Sequence, residues 1–175
     1  MITHLPSAEH IAVPWKNGGG VTREIAVFPI DAGMDDFLWR ISMAEVTEAG
    51  PFSRFDGIDR HLTVLEGRLR LDLPDRRYTL FPGESLAFEG DTPVTGTPLT
   101  TRVLDLNIMT RQGRFTAEVE HITGPAEIQA TFIIALEPTR IAGFDLLPYD
   151  ALRIEKDAIL TLDHSRAAII RLPEV

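Results

Sequence analysis

Proline and glycine recur at short intervals along this chain, and the runs between them read as strands. Twelve prolines and 13 glycines are scattered through 175 residues, separating segments rich in Val, Ile, Leu, Thr and Phe. That punctuation is the mark of many short strands joined by turns. An all-β fold is therefore predicted. Residues 37–44 alternate large apolar with polar or small side chains, the period-two pattern of a strand with one buried face. Strands over 61–65, 68–73 and 78–81 follow, with Glu66-Gly67 and Pro74-Asp75 where turns belong, and together they read as a meander. Further strands fit 85–88 and 102–109, and a fainter series fits 115–121, 130–136, 140–141, 152–154, 159–162 and 167–172. Residues 7–11 allow one short helical turn.

The length suits one substantial core or two small barrels sharing an interface. Thr110-Arg111-Gln112-Gly113-Arg114 is polar, contains a glycine and follows a strong strand. It divides the chain into an N-terminal barrel over 1–113 and a smaller C-terminal barrel over 114–175, joined too tightly for a flexible linker. A net charge of −9 opposes the phosphate neutralisation that nucleic-acid binding needs, so no nucleic-acid partner is expected. The absence of cysteine removes disulfides, thiol nucleophiles and thiolate-held metals. The first residues lack a basic region followed by an apolar run, and no stretch reaches bilayer length, so a soluble, cytoplasmic protein with no membrane partner is expected.

Two patterns resemble the cupin superfamily: residues 64–71, a strand–turn–strand around Glu66-Gly67, and residues 80–88, a turn and strand around Pro82-Gly83. Each alone has a local explanation in turn chemistry. A metal-binding cupin would carry a His-x-His pair with a carboxylate before the first pattern and another histidine after the second. Residues 50–60 contain no histidine, and Thr92-Pro93-Val94 follows the second pattern. The five histidines (His4, His10, His61, His121 and His164) show no ligand spacing, so a metal-free barrel with no cofactor is predicted. Among them His61, beside Arg60 in a strand, could face the barrel interior.

Four segments gather polar groups. In the segment 14–25, Lys16 and Arg23 flank a triple glycine, Gly18-Gly19-Gly20. Such a loop either exposes main-chain N–H groups to a carboxylate or is a wide turn into a strand with Trp15 packed in the core. Nucleotide-loop spacing is missing. Trp39-Arg40-Ile41-Ser42 puts Arg40 and Ser42 on one strand face, where a guanidinium and a hydroxyl can hold a carboxylate. Phe52 and Phe55 anchor a loop that leads to Asp59 and Arg60. Residues 104–111 separate into an apolar face and a face of Asp105, Asn107, Met109 and Arg111. Inside a small barrel that row would put a carboxylate, an amide and a guanidinium in the lumen, while on an exposed sheet it would mean nothing. Alternation leaves the choice open.

With these segments in view the chain resembles the HutD/Ves family, through Trp15-Lys16-Asn17-Gly18-Gly19-Gly20 with Thr22-Arg23-Glu24-Ile25, Trp39-Arg40-Ile41-Ser42, Gly50-Pro51-Phe52-Ser53 with Phe55, Gly57, Asp59 and Arg60, and Asp105-Leu106-Asn107-Ile108-Met109 with Arg111. The match is specific over 12–111 and weaker beyond. It implies a cupin-like double barrel, or bicupin, generally without metal ligands, and a link to histidine utilisation. It also implies a pocket lined by Lys16, Asn17, Arg23, Glu24, Arg40, Ser42, Arg60, Asp105, Asn107 and Arg111, with Trp15 and Phe52 as its apolar wall.

The expectation that follows is a metal-independent binder of a small anionic metabolite, such as formate or a formylated amino acid, serving as a regulator or accessory factor in histidine breakdown. The alternative is a metal-free isomerase or hydrolase with Glu24 or Asp105 as general base, which a carboxyl of raised pKa in the pocket would favour. A protein-interaction module, marked by exposed apolar edges, is a third reading. A homodimer is consistent with the cupin resemblance, though no residue establishes it.

Overall fold

The computed structural model describes residues 1–15, 17–155 and 158–175. In chain order its strands are β1 (Ile2–Leu5), β2 (Ile11–Pro14), β3 (Gly20–Phe28), β4 (Trp39–Val46), β5 (Gly50–Pro51), β6 (Ile58–Glu66), β7 (Leu69–Asp72), β8 (Arg77–Leu80), β9 (Ser85–Glu89), β10 (Thr95–Pro98) and β11 (Val103–Arg111). They continue with β12 (Glu118–Thr123), β13 (Ala126–Ile128), β14 (Phe132–Ala135), β15 (Thr139–Ile141), β16 (Phe144–Leu146), β17 (Ala151–Ile154), β18 (Leu160–Leu162) and β19 (Arg166–Arg171). The helical content among these residues is the single 3-10 turn Ser7–Glu9, where one short turn is predicted. The protein is all-β.

The chain divides into two compact units, one of Met1–His10 with Ala117–Pro173 and the other of Ile11–Thr116 with Glu174–Val175. The first ten residues, placed in the N-terminal barrel by the sequence reading, therefore belong with the C-terminal strands. The physical reason is pairing: β1 runs antiparallel to β17 from Ile2 opposite Ile154 to Leu5 opposite Ala151.

In the unit that holds β1, one sheet has the order β1-β17-β14-β19-β12, accompanied by the two-stranded sheet β13-β18 and the hairpin β15-β16. Ile133, Ile141, Leu152, Leu162 and Ile169 fill its core. The buried Asp150 carboxylate ties the N-terminal segment to it. This carboxylate accepts from the Ser7 N–H at 2.7 Å and the Leu147 N–H at 3.0 Å, and meets His4 Nε2 at 3.0 Å.

The other unit has a six-stranded sheet, β2-β3-β4-β11-β6-β9, and a four-stranded sheet, β5-β10-β7-β8. Val46, Leu62, Val64 and Val103 from the first meet Leu69, Leu71 and Leu80 from the second in one core. Strand β11 lies between β4 and β6 and is buried from Val103 to Thr110. At the sheet edge β2 exposes Ile11 and Val13.

Candidate functional site

Register decides which way the polar rows point. On β11, Asp105 lies opposite Ala44 and Val64, Asn107 opposite Ser42 and Leu62, and Met109 opposite Arg40 and Arg60. Directly opposed residues share a sheet face. Leu62 and Val64 belong to the core between the two sheets, so Arg40, Ser42, Arg60, Asp105 and Asn107 point into that core with them. Glu24, opposite Ser42 on β3, joins the same face. Two β-bulges flank the row, one where the β6 register shifts beside Asp105 and one just after Glu24. Bulges of this kind re-aim side chains and concentrate beside functional sites. His61 sits opposite Ile108 and Ala87 on the other face, so the expectation that it could line the interior fails through simple alternation.

Asp105 is 1% exposed, Arg60 7% and Asn107 8%. Both carboxyl oxygens of Asp105, the side-chain oxygen of Asn107 and Nε of Arg60 are buried without a protein partner. Native proteins pair nearly all such atoms, and each one left alone costs about 1–3 kcal/mol. Burial lifts the Asp105 carboxyl to about 7, against the opposing charge of Arg60. The same burial lowers Arg60 to about 10, with Arg40 adding to the effect and Asp105 resisting it. Arg60 stays in place because three rings surround it. Its guanidinium carbon lies 5.4 Å from the Phe52 ring centroid, 5.7 Å from Phe55 and 5.3 Å from Phe88, while NH1 donates to the Ser53 carbonyl at 3.1 Å. Arg40 donates from Nε to Glu24 at 2.7 Å, a part-buried pair that fixes its direction.

An open cleft of about 600 Å³ adjoins this row, lined by Met34, Asp35, Arg54, Phe55, Asp56, Ile58 and Arg111. Arg111 faces Ile58 across the sheet, one step along the face from the Arg40–Met109–Arg60 rung. It is anchored by donating to the carbonyls of Asp35 at 3.0 Å and Phe37 at 3.1 Å.

The glycine turn forms a wall. Gly18 N–H donates to the Trp15 carbonyl and Gly19 N–H to Asn17 Oδ1, so both are used inside the turn. Trp15 donates from Nε1 to Thr22 at 2.8 Å and meets Phe52 edge-on at 6.3 Å. This is the wide turn with a packed tryptophan, one of the two forms its sequence allows. Arg23, opposite Met43, is exposed on the other face, away from the row that the resemblance implied for it. Lys16 lies outside the described residues. A Cβ on Gly20 would come within 2.5 Å of the Glu45 carbonyl and 3.0 Å of the Trp15 ring. Gly20→Ala is accordingly expected to destabilise by about 1–3 kcal/mol, with a shifted tryptophan emission; an unchanged melting midpoint would contradict this packing. Phe55, Phe88, Arg54 and Ser53 complete the surroundings, and sequence reasoning left them out of the site. Phe55 and Phe88 carried a signal, standing in segments already singled out, but a ring beneath a guanidinium shows only in three dimensions.

The family model for HutD matches residues 7–170. The chain belongs to the HutD family. The match runs well past residue 111, where the sequence resemblance was strongest. Among similar proteins is a 21.2 kDa protein in the hutC 3' region of Pseudomonas putida, 32% identical over 183 residues and covering 96% of this chain and 95% of its own length. Protein Ves of Citrobacter koseri is 41% identical over 108 residues, 60% of this chain and 56% of that one. The structure of HutD from Pseudomonas fluorescens, in a formate condition, superposes with a TM-score of 0.87 at 29% identity over 100% of both chains. This HutD-family protein has the cupin-like β fold of such relatives, whose names connect the family with histidine utilisation. Among the described residues, no three His, Asp or Glu side chains are grouped to hold a metal ion, and no helix is long and apolar enough to cross a membrane.

Proposed function

We propose that the unit containing β11 binds a small anionic metabolite without a metal, and that the protein acts through this binding as a regulator or accessory factor in histidine utilisation. One observation carries the reading: Asp105, Asn107 and Arg60 are buried on a single inner face with polar atoms that no protein group satisfies. A core built only for packing would have apolar residues there, since unpaired polar atoms are destabilising. Two guanidinium groups, Arg40 and Arg60, on one rung suit a carboxylate.

A second reading, a metal-free enzyme on the same class of molecule, draws on the Asp105 carboxyl. Near 7 it can take or give a proton at physiological pH. Glu24, the other candidate base, is held by Arg40 and serves to orient it. The interaction-module reading has the exposed Ile11 and Val13 on β2, but it leaves the polar interior unexplained.

Melting of the purified protein with formate, N-formylglutamate, formiminoglutamate, urocanate, glutamate and histidine tests the proposal, with Arg40→Ala as the control. A ligand at a hundred times its dissociation constant adds about 2.7 kcal/mol to the folded state. A clear upward shift that Arg40→Ala abolishes is the expected result, and no shift with any compound would end the metabolite reading. Following the binding compound by NMR over hours then separates receptor from enzyme: product formation lost in Asp105→Asn favours turnover.

A further inference from the structure

The inner face is asymmetric along its length, and the asymmetry constrains the ligand beyond its negative charge. The Arg111–Ile58 step borders the open cleft, the Arg40–Met109–Arg60 rung comes next, Ser42 and Asn107 follow, and Asp105 lies deepest. From the arginine rung to the Asp105 rung is four residues of strand, roughly 13 Å between Cα positions, and the Arg60 side chain spans enough of that distance to act electrostatically on Asp105. Cationic donors thus stand near the cleft. The unpartnered atoms deeper in are three oxygens, two of Asp105 and one of Asn107, and all three accept when Asp105 is ionised. A bare anion placed there would leave the Asn107 oxygen and an ionised Asp105 unpaired and would bring negative charge toward that carboxylate.

We propose that the ligand is bipolar, with a carboxylate held at the Arg40–Arg60 rung and N–H donors presented to Asn107 and Asp105 deeper in the unit. This rests on the metabolite-binding reading above and narrows it to one class: small carboxylates bearing an amine, amide, amidine or azole N–H a few bonds from the acid. Formate and other simple anions fall outside that class, because they bring no N–H donor to the Asn107 oxygen or to an ionised Asp105. Neighbouring groups support the polarity. Arg60 is fixed by three rings and the Ser53 carbonyl with Nε still unpartnered, and Arg40 is directed by Glu24, so the cationic end is preorganised. Val64 and Ala44 flank Asp105 across the sheet and offer it no donor. A bound molecule carrying N–H groups would supply its partners.

Matched pairs test the inference. Isothermal titration would compare glutamate and N-formylglutamate with glutarate, and urocanate with furylacrylate, whose ring has no N–H, using the wild-type chain and Asp105→Leu. Because leucine removes a buried polar group, that variant is expected to fold. In the wild type at least one N–H-bearing compound should bind tenfold or more tightly than its N–H-free analogue, and in Asp105→Leu the gap should close. Equal affinity within every pair that binds would overturn the bipolar assignment while leaving the metabolite pocket standing. A gap that persists undiminished in Asp105→Leu would likewise overturn it. Absence of binding by every compound would remove the pocket reading itself, and this inference with it.

Discussion

Asp105→Asn is expected to stabilise the ligand-free protein at pH 8 by about 2–4 kcal/mol and to have little stabilising effect near pH 4. In the folded chain the carboxyl titrates at about 7, against 3.8 as its ordinary value. The folded state therefore holds its proton over a range where the unfolded chain has already lost it. The group's contribution is most favourable below pH 4, falls through the window from about 4 to 7, and is flat above. Each pKa unit corresponds to about 1.4 kcal/mol, so the full loss across the window is on the order of 4 kcal/mol. An asparagine does not titrate and should flatten the profile, though its own amide enters an environment with few partners, which trims the gain. Urea midpoints from pH 4 to 9 for both proteins give the measurement. Parallel profiles would show that Asp105 is not the buried acid that the geometry implies. A substitution that strengthens the fold while removing ligand binding is the expected signature of a residue retained for function at the expense of stability.

The second large effect belongs to the other unit. Asp150→Ala should destabilise by roughly 3 kcal/mol, because it strips the acceptor from two backbone N–H groups, Ser7 and Leu147, and from His4 in one stroke. The loss should be local first. Amides of β1, an edge strand paired with β17, are expected to exchange much faster in the variant while those of β11 hold. Uniform exchange across both would argue against Asp150 as the tie for the N-terminal segment. Hydrogen bonds from Ser7, Leu147 and His4 outweigh the cost of burial and hold the Asp150 carboxyl below its ordinary value. Its stabilisation is therefore present above the ordinary carboxylate pKa and disappears as pH falls through the lowered one. The two aspartates act oppositely: acid removes the benefit of Asp150 and relieves the strain of Asp105.

Their difference could not be read in one dimension. Asp105 stands in an alternating apolar–polar strand and Asp150 in a short loop before another strand, and nothing local marks one carboxylate as starved of donors and the other as surrounded by them. Donor supply depends on residues distant in sequence: His4 and Ser7 reach Asp150, whereas Val64 and Ala44, across the sheet from Asp105, offer it none.

What the sequence by itself determined is the all-β class, most of the strands, and the sorting of β11 into two faces, because turn chemistry and period-two alternation act between near neighbours. Family membership was legible for the same reason, in contiguous motifs. The short segments β1, β2, β5, β10, β13 and β16 escaped, since two to four residues give alternation little to act on, and the longer β3 was legible only as a strand entered from the glycine turn. Only the tertiary structure decided that the polar face of β11 looks inward, that Arg60 lies among Phe52, Phe55 and Phe88, that Arg23 points away, and that the first ten residues join the C-terminal strands. A strand's period fixes that two faces differ, but which face is inside depends on the sheet that packs against it, and that sheet is assembled from residues far along the chain.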